Sequence, residues 1–326
     1  MVKIGVVGMG MGGGHGATIH ASGVGELTAI CDANPQKLTW RLETYAKEID
    51  AHPRGYVSFE EMLDKEKLDG VVIATPSGTH AKLVNIAADR GMNMLIEKPL
   101  DITVAAMDSI EAMVARAGVL AGVNYQMRFQ PGVYSVKQAI ERGDLGKLLM
   151  VDVRLKWFRD QPYYDAGGWR GTWAMDGGGS LMNQGAHPMD LLCWLAGRAV
   201  KVRGDYAVLN HTIETEDWAA GIVAFDSGVR SCITTTTNVA PKDDRICIDV
   251  HGTAGSVYLI GGEIVNTNIE SLKTPAQPPY PSPVIDFLHA VKDHRPPAIS
   301  VADARRSVDL ILAVYESARS NRTIEL

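Results

Sequence analysis

The chain opens Val2-Lys3-Ile4-Gly5-Val6-Val7-Gly8-Met9-Gly10-Met11-Gly12-Gly13, an apolar β-favouring run that passes straight into glycine. Gly8, Gly10 and Gly13 match G-x-G-x-x-G where a strand hands over to a helix, here Ala17-Thr18-Ile19-His20-Ala21. In that setting the first glycine makes the tight turn and the second lets a pyrophosphate approach the backbone. The third lets helix and strand pack closely. The helix N-terminus adds unpaired N–H groups and a partial positive charge. Glycines also serve ordinary turns, so the motif needs a second feature beside it. A second apolar run, Leu27 to Cys31, supplies one by ending in Asp32, 19 residues after Gly13. A carboxylate there accepts hydrogen bonds from ribose hydroxyls. The reading is a dinucleotide site, and Asp32 favours NAD because it would repel a 2′-phosphate. NADP is the alternative, since Asn34 and Lys37 lie close enough to soften that preference.

At 326 residues the chain is long enough for two domains, each with its own core. A net charge of −6 argues against nucleic acid or an anionic membrane surface as partner. No apolar run approaches the ~20 residues that span a bilayer. Met1 leads directly into a strand with no basic segment ahead of it, so no signal peptide is expected. Cys31, Cys193, Cys232 and Cys247 stand singly without C-x-x-C spacing, which reads as reduced core thiols rather than disulfides or a zinc site. The expected location is the cytoplasm, and no metal is expected.

Strand and helix signals alternate through the first half. Asn34-Pro35 starts a helix through Glu48, and Asp69 to Ala74 is a continuous apolar run suited to a strand covered on both faces. The loop Thr75-Pro76-Ser77-Gly78-Thr79-His80 leads to a helix at Ala81–Arg90. Asn93–Ile96 ends in Glu97-Lys98-Pro99, and Leu120–Val123 ends in Asn124-Tyr125. The pattern predicts an open, doubly wound parallel sheet whose ligand lies outside the carboxyl ends of the strands. Gly8–Gly13, Asp32, Thr75–His80, Glu97–Pro99 and Asn124-Tyr125 all fall at those ends. Taken singly, each has a plainer reading: turn chemistry for Thr75-Pro76-Ser77, a solvated pair for Glu97-Lys98, and local packing for His15, His20 and His80.

From about Leu145 the pattern changes. Lys147–Phe158 reads as a long strand, and Arg159–Asp176 as a loop rich in Gly, Trp and Tyr. Gly177-Gly178-Gly179-Ser180 opens a helix expected from Leu181 to Ala196, with Asn183 and His187 at i and i+4 on one face. Pro188 is expected to end or bend that helix. Strands at 200–209, 217–225, 229–238, 245–251 and 256–259 are joined by short turns, which implies an antiparallel sheet. Helices at 284–293 and 301–320 close the chain. The domains expected are a Rossmann domain at 1–123 and a substrate-binding and oligomerisation domain at 124–326, with the last helices packing back on the first. Trp169-Arg170 either meets an adenosine or phosphate or anchors its own loop.

Five short signatures occur in one order: the glycine motif, Ala74-Thr75-Pro76-Ser77 with His80, Glu97-Lys98-Pro99-Leu100, Gly177-Gly178-Gly179 running to Gly185-Ala186-His187-Pro188-Met189-Asp190, and Arg295-Pro296-Pro297 to Tyr315-Glu316-Ser317-Ala318. Together they resemble the glucose–fructose oxidoreductase / inositol dehydrogenase / rhizopine-catabolism (Gfo/Idh/MocA) family over nearly the whole chain. The resemblance implies a Rossmann domain followed by an α+β domain with a large, mostly antiparallel sheet, whose face forms dimers or tetramers. It implies hydride transfer between NAD(P) and a secondary hydroxyl of a sugar, cyclitol or related carbohydrate. By position, Lys98 and His187 would be the catalytic pair, and Glu97, Lys98 and Pro99 would edge the nicotinamide, with a cis Lys98–Pro99 bond expected. Gly8, Met9, Gly10, Met11, Gly13, Asp32, Thr75, Pro76, Ser77, His80 and Asn124 would line the cofactor, and Trp169 and Arg170 would reach it from the second domain. Family members often carry Asp four residues before the second domain's catalytic histidine; Asn183 here can position a hydroxyl but cannot take its proton. Tyr125, Arg128, Tyr163 and Asp176 are further substrate candidates.

Oxidation of a secondary alcohol needs a base for the hydroxyl proton and a positive charge beside the developing alkoxide. His187 and Lys98 supply both, and either can be the formal base. Two other functions remain open to such a chain. One is NAD-dependent glycoside cleavage by transient oxidation, which would show no net NADH. The other is a cofactor-binding regulator, which would need neither Lys98 nor His187.

Overall fold

In the computed structural model, which describes residues 1–326, strands and helices alternate from the N-terminus. They are β1 (Val2–Val7), α1 (Gly12–Ala21), β2 (Gly25–Cys31), α2 (Pro35–Glu48), β3 (Arg54–Tyr56), α3 (Phe59–Lys65), β4 (Gly70–Ile73), α4 (His80–Ala88), β5 (Asn93–Ile96), α5 (Val104–Ala117) and β6 (Ala121–Val123). The six strands form one parallel sheet in the order β3-β2-β1-β4-β5-β6. Local signals start and stop the helices as the sequence suggests. Asn34 caps α2 by accepting from the Lys37 N–H ahead of Pro35, and Thr103 caps α5, which closes on Gly118 at φ +65°. Every residue of β4 is buried, as a central strand covered on both faces requires.

The chain continues through α6 (Pro131–Arg142), β7 (Leu148–Lys156), α7 (Gln161–Asp165), α8 (Ala186–Ala196), β8 (Ala199–Ala207), β9 (Trp218–Phe225), β10 (Arg230–Thr236), β11 (Arg245–Gly252), β12 (Ser256–Ile260) and β13 (Glu263–Thr267). α9 (Pro283–Lys292), α10 (Val301–Ser320) and β14 (Ile324–Glu325) complete it. Met1–Asn124 and Tyr280–Ala302 make one compact unit; Tyr125–Pro279 and Asp303–Leu326 make the other. The return of α9 to the first unit has a simple cause. Its apolar residues Val284, Phe287, Leu288 and Val291 share one core with Val2, Ile4, Ile19 and Leu27, whereas α10 belongs to the second unit.

In the second unit eight strands form a sheet in the order β13-β12-β11-β7-β10-β9-β8-β14. All pairs are antiparallel except β7 with β10. One face carries Val151, Val153, Leu155, Val202, Val223, Ile233, Ile248 and Val250, all buried. Alternate residues on the other face, Met150, Cys232 and Ile222 among them, are exposed. The core-thiol expectation therefore holds for Cys31 and Cys193, while Cys232 is exposed and Cys247 half-buried on the sheet.

Three local features differ from the sequence reading. α6 occupies a stretch given no element, although Pro131 at its start, buried Val133, Val136 and Ala139, and Gly143 at φ +79° are ordinary helix signals. The expected helix from Leu181 is two pieces: a π-helical turn at Ser180–Gln184, then α8. Pro188 neither ends nor bends α8. It sits in the first turn, where a missing N–H breaks no intrahelical bond. No helix is long and apolar enough to cross a membrane.

Candidate active site

The first unit gathers its functional groups where β1, β2, β4, β5 and β6 end. Gly8 has φ +91°, and a Cβ there would lie 2.3 Å from the Ala74 carbonyl oxygen, so only glycine fits the turn. The close approach to β1 belongs to Gly12, facing Val6 Cγ1, whereas a Cβ on Gly13 would meet the Arg41 guanidinium. Gly10 and Met11 are exposed; Met9 is wholly buried and offers the site only its backbone. Asp32 closes the turn by accepting from the Met9 N–H at 2.8 Å and the Asn34 N–H at 3.0 Å, and Lys37 Nζ lies 3.1 Å from it. An exposed glycine turn at a helix start, with a carboxylate one strand away, fits a dinucleotide.

Thr75 and Pro76 are half-buried after β4, Ser77 is buried, and the Thr75 hydroxyl bonds that of Thr79 at 2.7 Å. His80 departs from its expected role. It is fully buried, with Nδ1 3.0 Å from the Pro99 carbonyl and Nε2 3.1 Å from that of Thr75. It does not line the cofactor; it ties the loop after β4 to the loop after β5. In that second loop the Lys98–Pro99 bond is cis. Glu97 is buried and bonds His15 Nε2 at 2.5 Å, Asn124 Nδ2 at 2.6 Å and the Lys98 N–H at 3.0 Å. Burial alone would raise its pKa, but the His15 hydrogen bond, the charges of His15 and Lys98 and the Asn124 amide outweigh burial and hold it at about 2. Glu97 is therefore a permanent anion under half-buried Lys98.

The second unit holds its groups around the triple glycine. A Cβ on Gly179 would fall 1.9 Å from the Glu216 carbonyl oxygen, which explains that glycine. The Glu216 carboxylate, fully buried, accepts from the Gly179 N–H at 2.8 Å and the Leu181 N–H at 2.7 Å, and so fixes the start of the π-helical turn. That turn presents Asn183, whose Nδ2 donates to Asp176 Oδ1 at 2.7 Å. Asp176 is itself buried and also accepts from the Gly171 N–H, so it orients Asn183 rather than meeting substrate. His187 follows in the first turn of α8, almost buried, with the Tyr125 ring edge-on at 5.8 Å.

Two substrate candidates are reassigned by burial. Tyr125 is fully buried with its hydroxyl 2.9 Å from Ser307 Oγ, so its ring supports His187 and its hydroxyl faces the core. Arg128 gives both of its nitrogen contacts to Asp190, at 2.8 and 2.5 Å, beneath Trp194. That pair leaves no guanidinium face for a substrate. Tyr163 stays half-buried and takes a hydrogen bond from Gln184 Nε2 at 2.7 Å. Trp169 and Arg170 are half-buried on the loop after α7, the guanidinium stacked 4.9 Å from the indole.

Sequence reading gives His15 local packing alone and assigns nothing to Glu216, Arg159 or Gln184. His15 follows the glycines directly, a position that signals proximity to the turn. Glu216 lies in Glu214-Thr215-Glu216-Asp217, an acidic stretch that reads as solvated; only the fold shows it buried. Burial pushes its carboxyl up to about 7 from 4.5, against the Leu181 and Gly179 N–H bonds that oppose the shift. A carboxyl whose folded pKa is raised stabilises the fold below its unfolded value and loses that contribution as pH climbs to the folded value. The native protein should lose stability between about pH 4.5 and 7 relative to Glu216→Gln. Melting curves of both proteins across that window check this; parallel curves would contradict it.

Models of known families and solved structures match both units of the chain. The NAD-binding Rossmann-fold model of the Gfo/Idh/MocA oxidoreductases matches residues 2–125, and the family's C-terminal domain model matches residues 133–258. The WlbA dehydrogenase of Bordetella pertussis, solved with NADH and UDP-GlcNAcA, superposes with a TM-score of 0.89 at 30% identity, over 100% of this chain and 98% of its own. The D-apiose dehydrogenase of Paraburkholderia graminis is 27% identical over 92% of this chain and 83% of its own length. The scyllo-inositol 2-dehydrogenase (NAD(+)) of Bacillus subtilis is 25% identical over 100% of this chain and 96% of its own.

Proposed function

The chain belongs to the Gfo/Idh/MocA family of NAD-binding oxidoreductases, and we propose that Lys98 and His187 carry its oxidation of a secondary hydroxyl on a sugar, cyclitol or related carbohydrate. The observation that carries this reading is the way Lys98 is held. Glu97, an anion fixed by His15 and Asn124, accepts from the Lys98 N–H, and His80 ties that loop to the loop after β4 through the Pro99 and Thr75 carbonyls. So much buried structure around one half-buried lysine is more than a surface pair needs.

Gly8–Gly13, Asp32, Thr75, Pro76 and Ser77 hold the dinucleotide, and when bound its nicotinamide supplies the hydride acceptor. The Lys98 ammonium lowers the cost of negative charge on the substrate oxygen. His187 takes the hydroxyl proton, because an imidazole exchanges protons near neutral pH. The Tyr125 ring keeps that imidazole from turning away, and Asn183, aimed by Asp176, positions a neighbouring hydroxyl. Asp32 sets a preference for NAD, which Lys37 at 3.1 Å weakens without reversing.

The exposed face of the eight-stranded sheet, with Ile222 62% exposed beside Cys232, joins copies of the chain into a dimer or tetramer. Four unpaired cysteines suit a reducing cytoplasm.

Replacing Lys98 or His187 by alanine should each lower turnover by about 10²-fold or more, the scale of acid–base groups; steady-state rates near wild type in both would contradict the assignment. Asp32→Ala should raise NADP use relative to NAD by about tenfold, one charge contact's worth. An unchanged ratio of kcat/KM values would remove Asp32 from cofactor choice. Ile222→Asp should shift the protein toward monomer in size-exclusion chromatography with light scattering, since an interface core excludes charge; an unaltered assembly would place the contact elsewhere.

A further inference from the structure

His211 is buried in the second unit, and both of its ring nitrogens face oxygen. Nδ1 lies 3.0 Å from Asp217 Oδ2, and Nε2 lies 2.8 Å from the Arg159 carbonyl oxygen. A carbonyl oxygen only accepts. Asp217 also only accepts. Burial would raise its carboxyl, but the His211 and Leu209 N–H groups, the Asn238 amide and the Asn210 N–H outweigh burial and hold it below the usual carboxylate range. A neutral imidazole has one N–H and one bare lone pair, so it serves one of these oxygens and sets the lone pair against the other. A ring protonated on both nitrogens donates to both. The Tyr164 ring, tilted 4.8 Å from the imidazole, is a surface that a cation also favours.

The charged and titratable groups around the ring are Asp217 on its own segment, with Glu216 next to it, and Arg159, Tyr163 and Tyr164 on the stretch through α7. Burial pushes the Tyr164 hydroxyl well up, so it carries no charge. Arg159 opposes a second charge, but its guanidinium is spent on the Phe158 carbonyl, Gln184 Oε1 and the Trp157 and Tyr163 rings. Asp217 meets the imidazole directly.

The bond to the Arg159 carbonyl matters because of what Arg159 holds. Its Nη2 donates to Gln184 Oε1 at 3.2 Å, and Gln184 Nε2 donates to the Tyr163 hydroxyl at 2.7 Å and to Asn183 Oδ1 at 3.3 Å. That chain runs from His211 to the side chain assigned to a substrate hydroxyl. We propose that His211 carries both ring protons in the working protein and is a positioning residue for Asn183, acting through Arg159 and Gln184. Its effect on turnover rests on the oxidoreductase reading; its proton count does not.

The first test counts protons. In protein labelled with 15N-histidine at about pH 7.5, a unit above the usual imidazole value, the His211 signals are those lost in His211→Gln. They should show a ring protonated on both nitrogens. Steady-state oxidation of myo-inositol, D-glucose and D-glucuronate then reads the positioning role. His211→Asn keeps an N–H toward Asp217 but falls short of the Arg159 carbonyl. It should raise KM for the compound oxidised about tenfold, one hydrogen bond to a charged donor, with kcat held. His211→Gln reaches further, replaces the Nε2 donor and should restore most of that loss. The unsubstituted protein should show KM rising as pH climbs from neutral into the alkaline range, because a histidine held charged by its partners gives up that contribution as its second proton leaves. His211→Gln should lack that rise. A single proton on the His211 ring, or a His211→Asn variant with unchanged KM, would overturn the proposal. Should the variants not fold, a KM of the unsubstituted protein that stays flat with pH would overturn it as well. No NADH formed from any of the compounds would count against the oxidoreductase reading, and the proton count would then decide the state of His211 alone.

Discussion

Wherever this chain leaves regular structure to present a functional residue, a carboxylate takes the backbone N–H groups that the irregularity leaves over. Asp32 accepts from Met9 in the glycine turn, Glu97 from Lys98 beside the cis bond, and Asp101 from Ala81 and Ile102. Glu216 accepts from Gly179 and Leu181, and Asp217 from Leu209, Asn210 and His211. Buried N–H groups without partners cost as much as a lost hydrogen bond. Each acid therefore makes a strained or open turn tolerable, and one that is ionised, as Glu97 is, holds such donors harder than a neutral acceptor would. The regular sheets supply position; these acids supply the local rigidity that a reacting side chain needs.

The same logic separates residues that act from residues that hold. Glu97 is ionised at any working pH, so it serves as a fixed counter-charge and not as a proton carrier. Arg128 and Asp190 neutralise each other, and the Tyr125 ring meets His187 edge-on. None of these reaches a substrate, yet losing one would leave its partner's charge or polar group buried alone. Of the residues proposed to meet the reacting hydroxyl compound, Lys98 and Asn183 stay half-buried and His187 is barely exposed.

The parallel sheet was readable because its signals are local and periodic. Apolar runs end in glycine or acid, and Asn34-Pro35 and Thr103 mark helix starts in a few residues. The glycine motif and Asp32 could be paired from spacing alone. Burial could not be read that way. Tyr125, Arg128, Asp176 and His80 look like ligands in a sequence because they are polar and lie near functional residues, and only packing shows their polar atoms already spent. Glu216 carries no signal in the sequence, although it is buried entirely. The π-helical turn is not legible because it depends on Glu216, 35 to 37 residues away in sequence, and no local pattern encodes a contact of that range.

Net hydride transfer is the claim on which the rest turns. The direct measurement follows NADH absorbance while the purified protein and NAD meet a panel of cyclitols, free sugars, sugar acids and nucleotide sugars. Stoichiometric NADH formation with one class of hydroxyl compound is the expected result. Tight NADH binding with no change in absorbance across the panel, together with cleavage of a glycoside, would contradict it and identify a redox-neutral reaction.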